Sequence, residues 1–182
     1  LDGDRHARVT AHIEQRLRDA GDGYGRDILV VPDFNGNRSP FADPHMRGLI
    51  HGLELDSSFD SLARLYLAAA RGIGYGTRQI IDSMNHAGYR IGEILMTGGH
   101  AKSELLVQIY AETTGCDVVL PREADAVLLG AGLSAAVAAG WYPSIETAGK
   151  ALVHRGRRAR PSAATSSIET KHRERFNSLV AL

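Results

Sequence analysis

The residues with the clearest chemical potential are a glycine pair, Gly98 and Gly99, between an apolar run and a helix-type pattern. Residues 93–103 read Glu-Ile-Leu-Met-Thr-Gly-Gly-His-Ala-Lys-Ser, and apolar residues recur at helical spacing from Leu105. Glycines let backbone N–H groups approach a ligand because no Cβ intervenes, and a helix start offers unpaired donors and partial positive charge. The pattern therefore indicates a phosphate or nucleotide site, with an ordinary strand-to-helix turn as the alternative from this segment alone.

A second polar group lies in the long loop of residues 32–47. Its residues 33–44 hold two carboxylates, an arginine and two asparagines, among them Asn37, Arg38 and Asp43. Such a set can position hydroxyls or phosphates, and loops of this length in a compact domain are often functional. Asx turns and X-Pro pairs explain the same composition without a ligand, so a structural role is the alternative.

Other site chemistries have weaker support. The eight histidines are scattered without a short ligand spacing to Cys116, so no metal site is predicted. Cys116 lies in an apolar setting, which favours a buried, inert thiol over a nucleophile. The glycines of residues 72–76 lack a preceding strand, so they indicate close packing rather than dinucleotide binding. The arginine-rich residues 154–160 are interpreted as a solvated linker rather than a nucleic-acid site.

The elements that position these residues follow from hydrophobic periodicity and from capping residues. Short apolar runs predict strands at residues 28–31, 48–53, 91–96 and 117–120. Helical spacing predicts helices at residues 4–20, 57–87, 103–114, 124–139, 145–152 and 166–182. Strand and helix alternate from residue 91 onward, which predicts an α/β domain with a parallel element.

The amino-acid composition argues against several classes of protein. The 182 residues are 43% hydrophobic and 23% charged with a formal net charge of zero, which argues against nucleic-acid and membrane partners. A single cysteine rules out an intrachain disulfide framework and favours a reducing cytoplasm. The apolar run at residues 126–142 is too short for a membrane helix and predicts a buried one. A first residue of Leu rather than Met suggests a piece of a longer protein.

An ordered series of motifs, from about residue 28 to residue 153, resembles the FGGY carbohydrate kinases and is most similar to their D-ribulokinase-type pentulose kinases. These motifs are residues 36–40, 42–44, 47–48, 52–53, 75–78, 97–99 with Ser103, Gln108, and 129–132. The resemblance implies an α/β, actin-like ATPase (ribonuclease H-like) fold. The chain would be a C-terminal FGGY kinase domain that lacks its first strands. Residues 1–153 would form its partial nucleotide-binding domain, and residues 154–182 a basic linker and C-terminal helix.

The resemblance also implies site roles and an activity. Gly98 and Gly99 would line the adenine nucleotide, and Ser103 would face its adenosine end. The loop with Asn37, Arg38 and Asp43 would face an interdomain cleft, with side chains fixing its shape.

The implied cofactors are ATP and Mg²⁺, and the implied reaction is phosphoryl transfer to the terminal hydroxyl of a ketopentose such as D-ribulose. In the family the sugar lies mainly against an N-terminal domain, which also carries the catalytic base, so the chain alone is expected to be inactive. The alternatives are a non-catalytic actin-like module for nucleotide binding or assembly and, more weakly, a dinucleotide-binding domain. The sugar and the oligomeric state, monomer or homodimer, stay open.

Overall fold

Six helices and two small sheets make up the structure, a computed structural model that describes residues 5–123 and 125–181. The helices are α1 (Arg5–Ala20), α2 (Phe59–His86), α3 (Glu104–Thr114), α4 (Ala126–Ala138), α5 (Ile145–Leu152) and α6 (Ser166–Val180). The strands are β1 (Leu29–Val31), β2 (Leu49–His51), β3 (Glu93–Leu95), β4 (Asp117–Pro121) and β5 (Arg155–Ala159). Short 3₁₀ turns occupy Gly21–Gly23 and His100–Lys102.

The sheets follow the predicted alternation of strand and helix. β3 and β4 are parallel, with Glu93 opposite Asp117, and α3 connects them. β5 continues this sheet antiparallel to β4, which gives the order β3-β4-β5. β1 and β2 form a separate antiparallel pair with Leu29 opposite His51. The predicted parallel element is therefore confirmed in β3 and β4.

The central helix is α2, which packs against α1, α3 and β1. Ser58 caps it by accepting a hydrogen bond from the Ser61 N–H at 3.1 Å, so the helix begins where its serines predicted. A Cβ placed on Gly72 would lie 2.1 Å from the Val30 carbonyl oxygen, and one on Gly74 2.1 Å from the Thr113 hydroxyl. Both positions must be glycine for these elements to approach, which confirms the packing interpretation for Gly72 and Gly74, whereas a Cβ on Gly76 would meet no atom within 4 Å.

Residues 154–160 are not the solvated linker that the charge run predicted. Residues Arg155–Ala159 form β5, and acidic side chains of β3, β4 and α3 pair with its three arginines. Arg155 lies 2.7 Å from Glu93, and Arg158 lies 2.8 Å from Asp117. A run of arginines in the sequence does not indicate which acidic residues pair with it. The acidic partners of Arg155 and Arg158 are 41 residues or more away in the sequence. The domain boundary at residue 153 stays a prediction.

Helix α4 is not buried, although its apolar sequence predicted that it would be. Only Leu133 and Ala136 are buried, whereas Val127 is 83% exposed and Leu128 is 71% exposed. An apolar helix is buried only where another element covers it, and the extensive contacts of α4 are with α5. No helix among the described residues is long and apolar enough to cross a membrane.

Candidate functional site

The glycine pair connects the end of β3 to a 3₁₀ turn rather than directly to a helix. Gly98 has a φ of 80°, which glycine adopts without strain, and Gly99 has helical angles of −61° and −42° at the start of the turn. Helix α3 begins at Glu104, directly after its cap Ser103, whose Oγ accepts a hydrogen bond from the Leu106 N–H at 3.4 Å. The predicted helix at residues 103–114 is therefore confirmed within one residue, and one short turn separates it from the glycines.

Gly99 and Ser103 line one open cavity of about 640 Å³, which α1, α2 and the start of α3 enclose. Its other walls combine apolar surface with the polar side chains of His6, Thr10, Glu14, Lys102 and Glu104. The volume falls within the range of small-molecule sites, which is about 300–1,000 Å³. The structure thus brings together two of the three residues that were predicted to bind a nucleotide.

Gly98, the third of these residues, faces a neighbouring cavity of about 210 Å³. Thr97, Pro121 and the first residue of α4 also line that cavity. Lys102 lines both cavities. The two adjacent glycines therefore line two different cavities on either side of the same turn.

The conformation of Gly99 does not itself require glycine. Its φ is in the ordinary helical region, and a Cβ built there would meet no atom within 4 Å. The space in front of its backbone is open to a ligand. A side chain at this position would therefore occupy the cavity without disturbing the fold.

The loop at residues 32–47 is closed by hydrogen bonds of two predicted residues. The Asn37 N–H donates to the Asp43 carbonyl at 2.8 Å, and the Asn37 side-chain amide donates to Asp33 at 3.0 Å. The Asp43 carboxylate accepts from the His45 N–H at 2.7 Å. These bonds confirm that Asp43 shapes the loop, and they add Asn37, which is 8% exposed.

Arg38 does not contribute to the shape of the loop as predicted. It is exposed and makes no hydrogen bond or ion pair with the residues that the structure describes. Arg47 holds the end of the loop instead, through bonds from its guanidinium to three successive carbonyls that begin at Pro44. The loop does not line the 640 Å³ cavity, and its position at an interdomain cleft stays a prediction.

The sequence reasoning missed a buried polar cluster that attaches α6 to α2. Arg26 pairs with Glu169, and the Tyr75 hydroxyl lies 2.6 Å from Glu169 and 2.9 Å from the His172 Nδ1. The His172 Nε2–H donates to the Arg26 carbonyl at 3.1 Å. No local pattern could reveal these contacts, because Arg26 and Glu169 are 143 residues apart.

Burial and charge set the protonation states of this cluster. Burial raises the pKa of Glu169, but the bond to Arg26 and its charge outweigh burial and hold the pKa below its usual value. Burial, together with the positive charges of Arg26 and Arg71, lowers the pKa of His172 to about 4. Burial also lowers the pKa of Arg71 to about 10. Near neutral pH the cluster therefore holds two cations, one anion and a neutral imidazole.

The described residues offer no protein-only metal site. They contain no group of three or more His, Cys, Asp or Glu side chains that could hold a metal ion. Cys116 is 2% exposed, and burial raises the pKa of its thiol. These surroundings agree with the interpretation of Cys116 as an inert thiol.

Similarity to known proteins identifies the kind of domain. Residues 7–139 match the C-terminal domain of the FGGY family of carbohydrate kinases. The chain is 45% identical over 122 residues to a human FGGY carbohydrate kinase domain-containing protein, covering 67% of this chain and 22% of that protein. It is 44% identical over 127 residues to a D-ribulokinase of Saccharomyces cerevisiae, covering 69% of this chain and 18% of that protein. The chain thus spans about a fifth of these two relatives.

Solved structures show the same fold at lower sequence identity. A gluconate kinase from Lactobacillus acidophilus superposes with a TM-score of 0.74 at 21% identity, covering 100% of this chain and 36% of that one. A Plasmodium falciparum glycerol kinase with ADP gives a TM-score of 0.71 at 15% identity, covering 98% and 34%. These likenesses confirm the predicted α/β, actin-like ATPase fold.

Proposed function

Because this chain belongs to the FGGY family of carbohydrate kinases, we propose that it is the nucleotide-binding part of an ATP-dependent sugar kinase. The observation that carries the proposal is the cavity in which the open backbone of Gly99 lies beside Ser103 at the start of α3. A backbone free of side chains next to a helix start suits a nucleotide. The proposed reaction of the whole protein transfers a phosphoryl group from ATP to the terminal hydroxyl of a ketopentose such as D-ribulose.

Within that reaction the chain's own residues bind and orient the nucleotide. Lys102 supplies a positive charge at the cavity, and the start of α3 adds backbone donors. Mg²⁺ would neutralise charge on the phosphates when bound. The described residues contain no group of three or more His, Cys, Asp or Glu side chains that could hold the ion without the nucleotide. The general base and the sugar contacts are proposed to lie outside this chain.

The 182-residue chain alone is expected to show no sugar kinase activity. Phosphoryl transfer requires a positioned acceptor hydroxyl, a base beside it and neutralisation of the phosphates, and this chain offers only one side of the nucleotide site. The measurement is ADP release with ATP, Mg²⁺ and D-ribulose, with the full-length protein as the positive control. Sugar-dependent turnover by the chain, lost in Asp33→Asn or Asp43→Asn, would place the catalytic centre in the loop.

Gly99→Val is expected to weaken nucleotide binding by the full-length protein at least tenfold, which corresponds to about 1.4 kcal/mol. The valine side chain would occupy the open space in front of the backbone while leaving its helical angles unstrained. Calorimetric titration with ADP measures the effect. Gly149→Val in α5 is the matched control, since a Cβ there also meets no atom within 4 Å. Equal ADP affinity of both variants and the wild type would exclude Gly99 from the site.

A non-catalytic module for nucleotide binding or assembly is the second candidate. The exposed apolar surface of α4 favours it, because such surfaces often mark interaction sites. A panel of ketopentoses and polyols, assayed with ATP and Mg²⁺ in the full-length protein, separates the two candidates. Turnover of any of them supports the kinase and identifies the sugar, and ADP binding without turnover supports the module.

A further inference from the structure

Two adjoining cavities lie where α6 meets α2 and α3. The inner cavity has a volume of about 110 Å³, and most of the residues that line it are buried. The outer cavity has a volume of about 360 Å³, and Glu112 and Glu169 line both. Neither cavity shares a lining residue with the one that contains Gly99. A molecule bound here would therefore be a second ligand, separate from the nucleotide.

Arg71, which lines the inner cavity, has hydrogen-bond donors that no protein group uses. It is 5% exposed, and its Nη1 donates to the carbonyls of Tyr24 and Gly25 at 3.0 Å and 3.3 Å. Its Nε and Nη2 donate to no group among the residues that the structure describes. These nitrogens are not sealed off, because Arg64 Nε is the only fully enclosed side-chain nitrogen or oxygen without a partner in the described part of the chain. Since a buried donor is costly until an acceptor reaches it, the inner cavity suits a ligand rich in acceptors.

Arg173 adds a second unpaired guanidinium group in the outer cavity. It is half-buried, and it makes no hydrogen bond or ion pair with residues 5–123 and 125–181. Arg78 lines the same cavity from α2, where its Nε donates to Asp82 and its Nη1 to the Thr114 carbonyl. Ser166, the first residue of α6, also lines this cavity, and no side chain caps the helix there. The outer cavity therefore also has more donors than acceptors.

The carboxylates around the two cavities are already satisfied. Glu169 is the partner of Arg26 and also accepts from the Tyr75 hydroxyl. Glu112 accepts three hydrogen bonds, from the side-chain amide of residue 108, the N–H of residue 162 and the hydroxyl of residue 165. Asp22 lines the inner cavity, but it is exposed, so water screens its charge. The groups left for a ligand are therefore mainly guanidinium and hydroxyl donors.

A phosphate group matches these donors. It brings several acceptor oxygens and up to two negative charges, and arginine binds it through two parallel N–H···O bonds. A carboxylate would offer two oxygens and one charge to two unpaired guanidinium groups. We propose that the junction of α2, α3 and α6 binds a small molecule that carries a phosphate group, with Arg71 and Arg173 as its guanidinium contacts.

Free phosphate and a phosphorylated sugar share this chemistry. The outer cavity falls within the volume range of small-molecule sites, and the hydroxyls of Ser162, Ser166 and Thr170 line it, so it has room for a sugar beside the phosphate. Such a ligand would contact three helices at once. Because it binds only the folded chain, it would stabilise the attachment of α6.

The test titrates the 182-residue chain with inorganic phosphate, ribose 5-phosphate and ribose, observed by NMR at constant ionic strength. Saturable binding of a phosphate compound is expected, with weaker or no binding of ribose. Arg173→Gln is expected to weaken phosphate binding at least tenfold, since hydrogen bonds between charged groups are strong. Lys171→Gln removes an exposed cation of the same helix and is expected to leave the affinity unchanged. Tighter binding of ribose 5-phosphate than of phosphate would identify a phosphorylated sugar as the ligand, and the reverse would identify free phosphate.

Backbone amide signals of the wild-type chain locate the ligand without any variant. The signals of Ser162, Ser166 and Thr170 are expected to shift, whereas shifts confined to residues 97–103 would place the phosphate beside Gly99 and overturn the proposal. No saturable binding, equal affinities for ribose and ribose 5-phosphate, or equal phosphate affinity of Arg173→Gln and wild type would also overturn it. If Arg173→Gln loses its native spectrum, Arg71→Gln tests the inner cavity with the same expected loss. ADP affinity is expected to stay unchanged in Arg173→Gln, so the outcome is independent of the nucleotide site.

Discussion

Glu169→Ala is expected to lower the free energy of unfolding by about 3–5 kcal/mol, because it removes one partner of a buried ion pair. Glu169 is 7% exposed, and it is the carboxylate that pairs with Arg26. Arg71 is buried nearby, at 5% exposure, and within residues 5–123 and 125–181 it donates only to the carbonyls of residues 24 and 25. Without Glu169, two buried guanidinium groups would stand together without their anion.

Chemical denaturation of wild type and variant measures this loss. Glu174→Ala is the matched control, since Glu174 belongs to the same helix α6 but is exposed. The control is expected to change stability by less than about 0.5 kcal/mol. A similar, small effect of both substitutions would mean that the Arg26–Glu169 pair does not hold α6 in place.

Stability is expected to fall by up to about 3 kcal/mol between pH 6.5 and pH 4, because His172 must stay neutral in the folded protein. Burial and the charges of Arg26 and Arg71 lower its folded pKa from 6.5 to about 4. Between these values the unfolded chain binds a proton that the folded chain does not, so stability rises with pH. Glu169 acts in the same direction below its ordinary pKa, since its folded pKa is lowered.

Denaturation curves recorded from pH 7.5 to pH 4 test this dependence. His172→Gln is expected to flatten the slope between pH 6.5 and pH 4, whatever its effect on stability at pH 7.5. His51→Gln removes an exposed histidine and serves as the control. The same slope in wild type and His172→Gln would show that other groups cause the acid sensitivity. Besides Arg26 and Arg71, the groups that face His172 are Glu169 and Tyr75.

Local signals predicted most of the elements well. Ser58 caps α2 and Ser103 caps α3, and Gly115, with a φ of 66°, ends α3 in the left-handed conformation that glycine favours. Capping depends on residues within one turn, so sequence neighbours reveal it. The pairing of β5 with β4 and the attachment of α6 depend on contacts across tens of residues. Periodicity carries no information about such contacts, and for that reason 154–160 was interpreted as a linker.

The sequence predicted the residues of the candidate site about as completely as it predicted the helices and strands. The chemistry of a glycine turn before a helix start indicated Gly99 as a ligand neighbour, and the resemblance to the FGGY kinases implied the same for Ser103. The sequence did not reveal that Gly98 faces another cavity, since that depends on its φ of 80°.

Because α4 exposes an apolar surface, the measured free energy of unfolding of this chain depends on the concentration of any molecule that binds that surface. Any molecule that covers Val127 and Leu128 in the folded chain, whether a detergent, a second copy or another part of a longer protein, shifts the folding equilibrium toward the folded state. The size of that shift grows with the concentration of the covering molecule. An unfolding free energy of the isolated chain is therefore a property of one protein concentration and one solution composition.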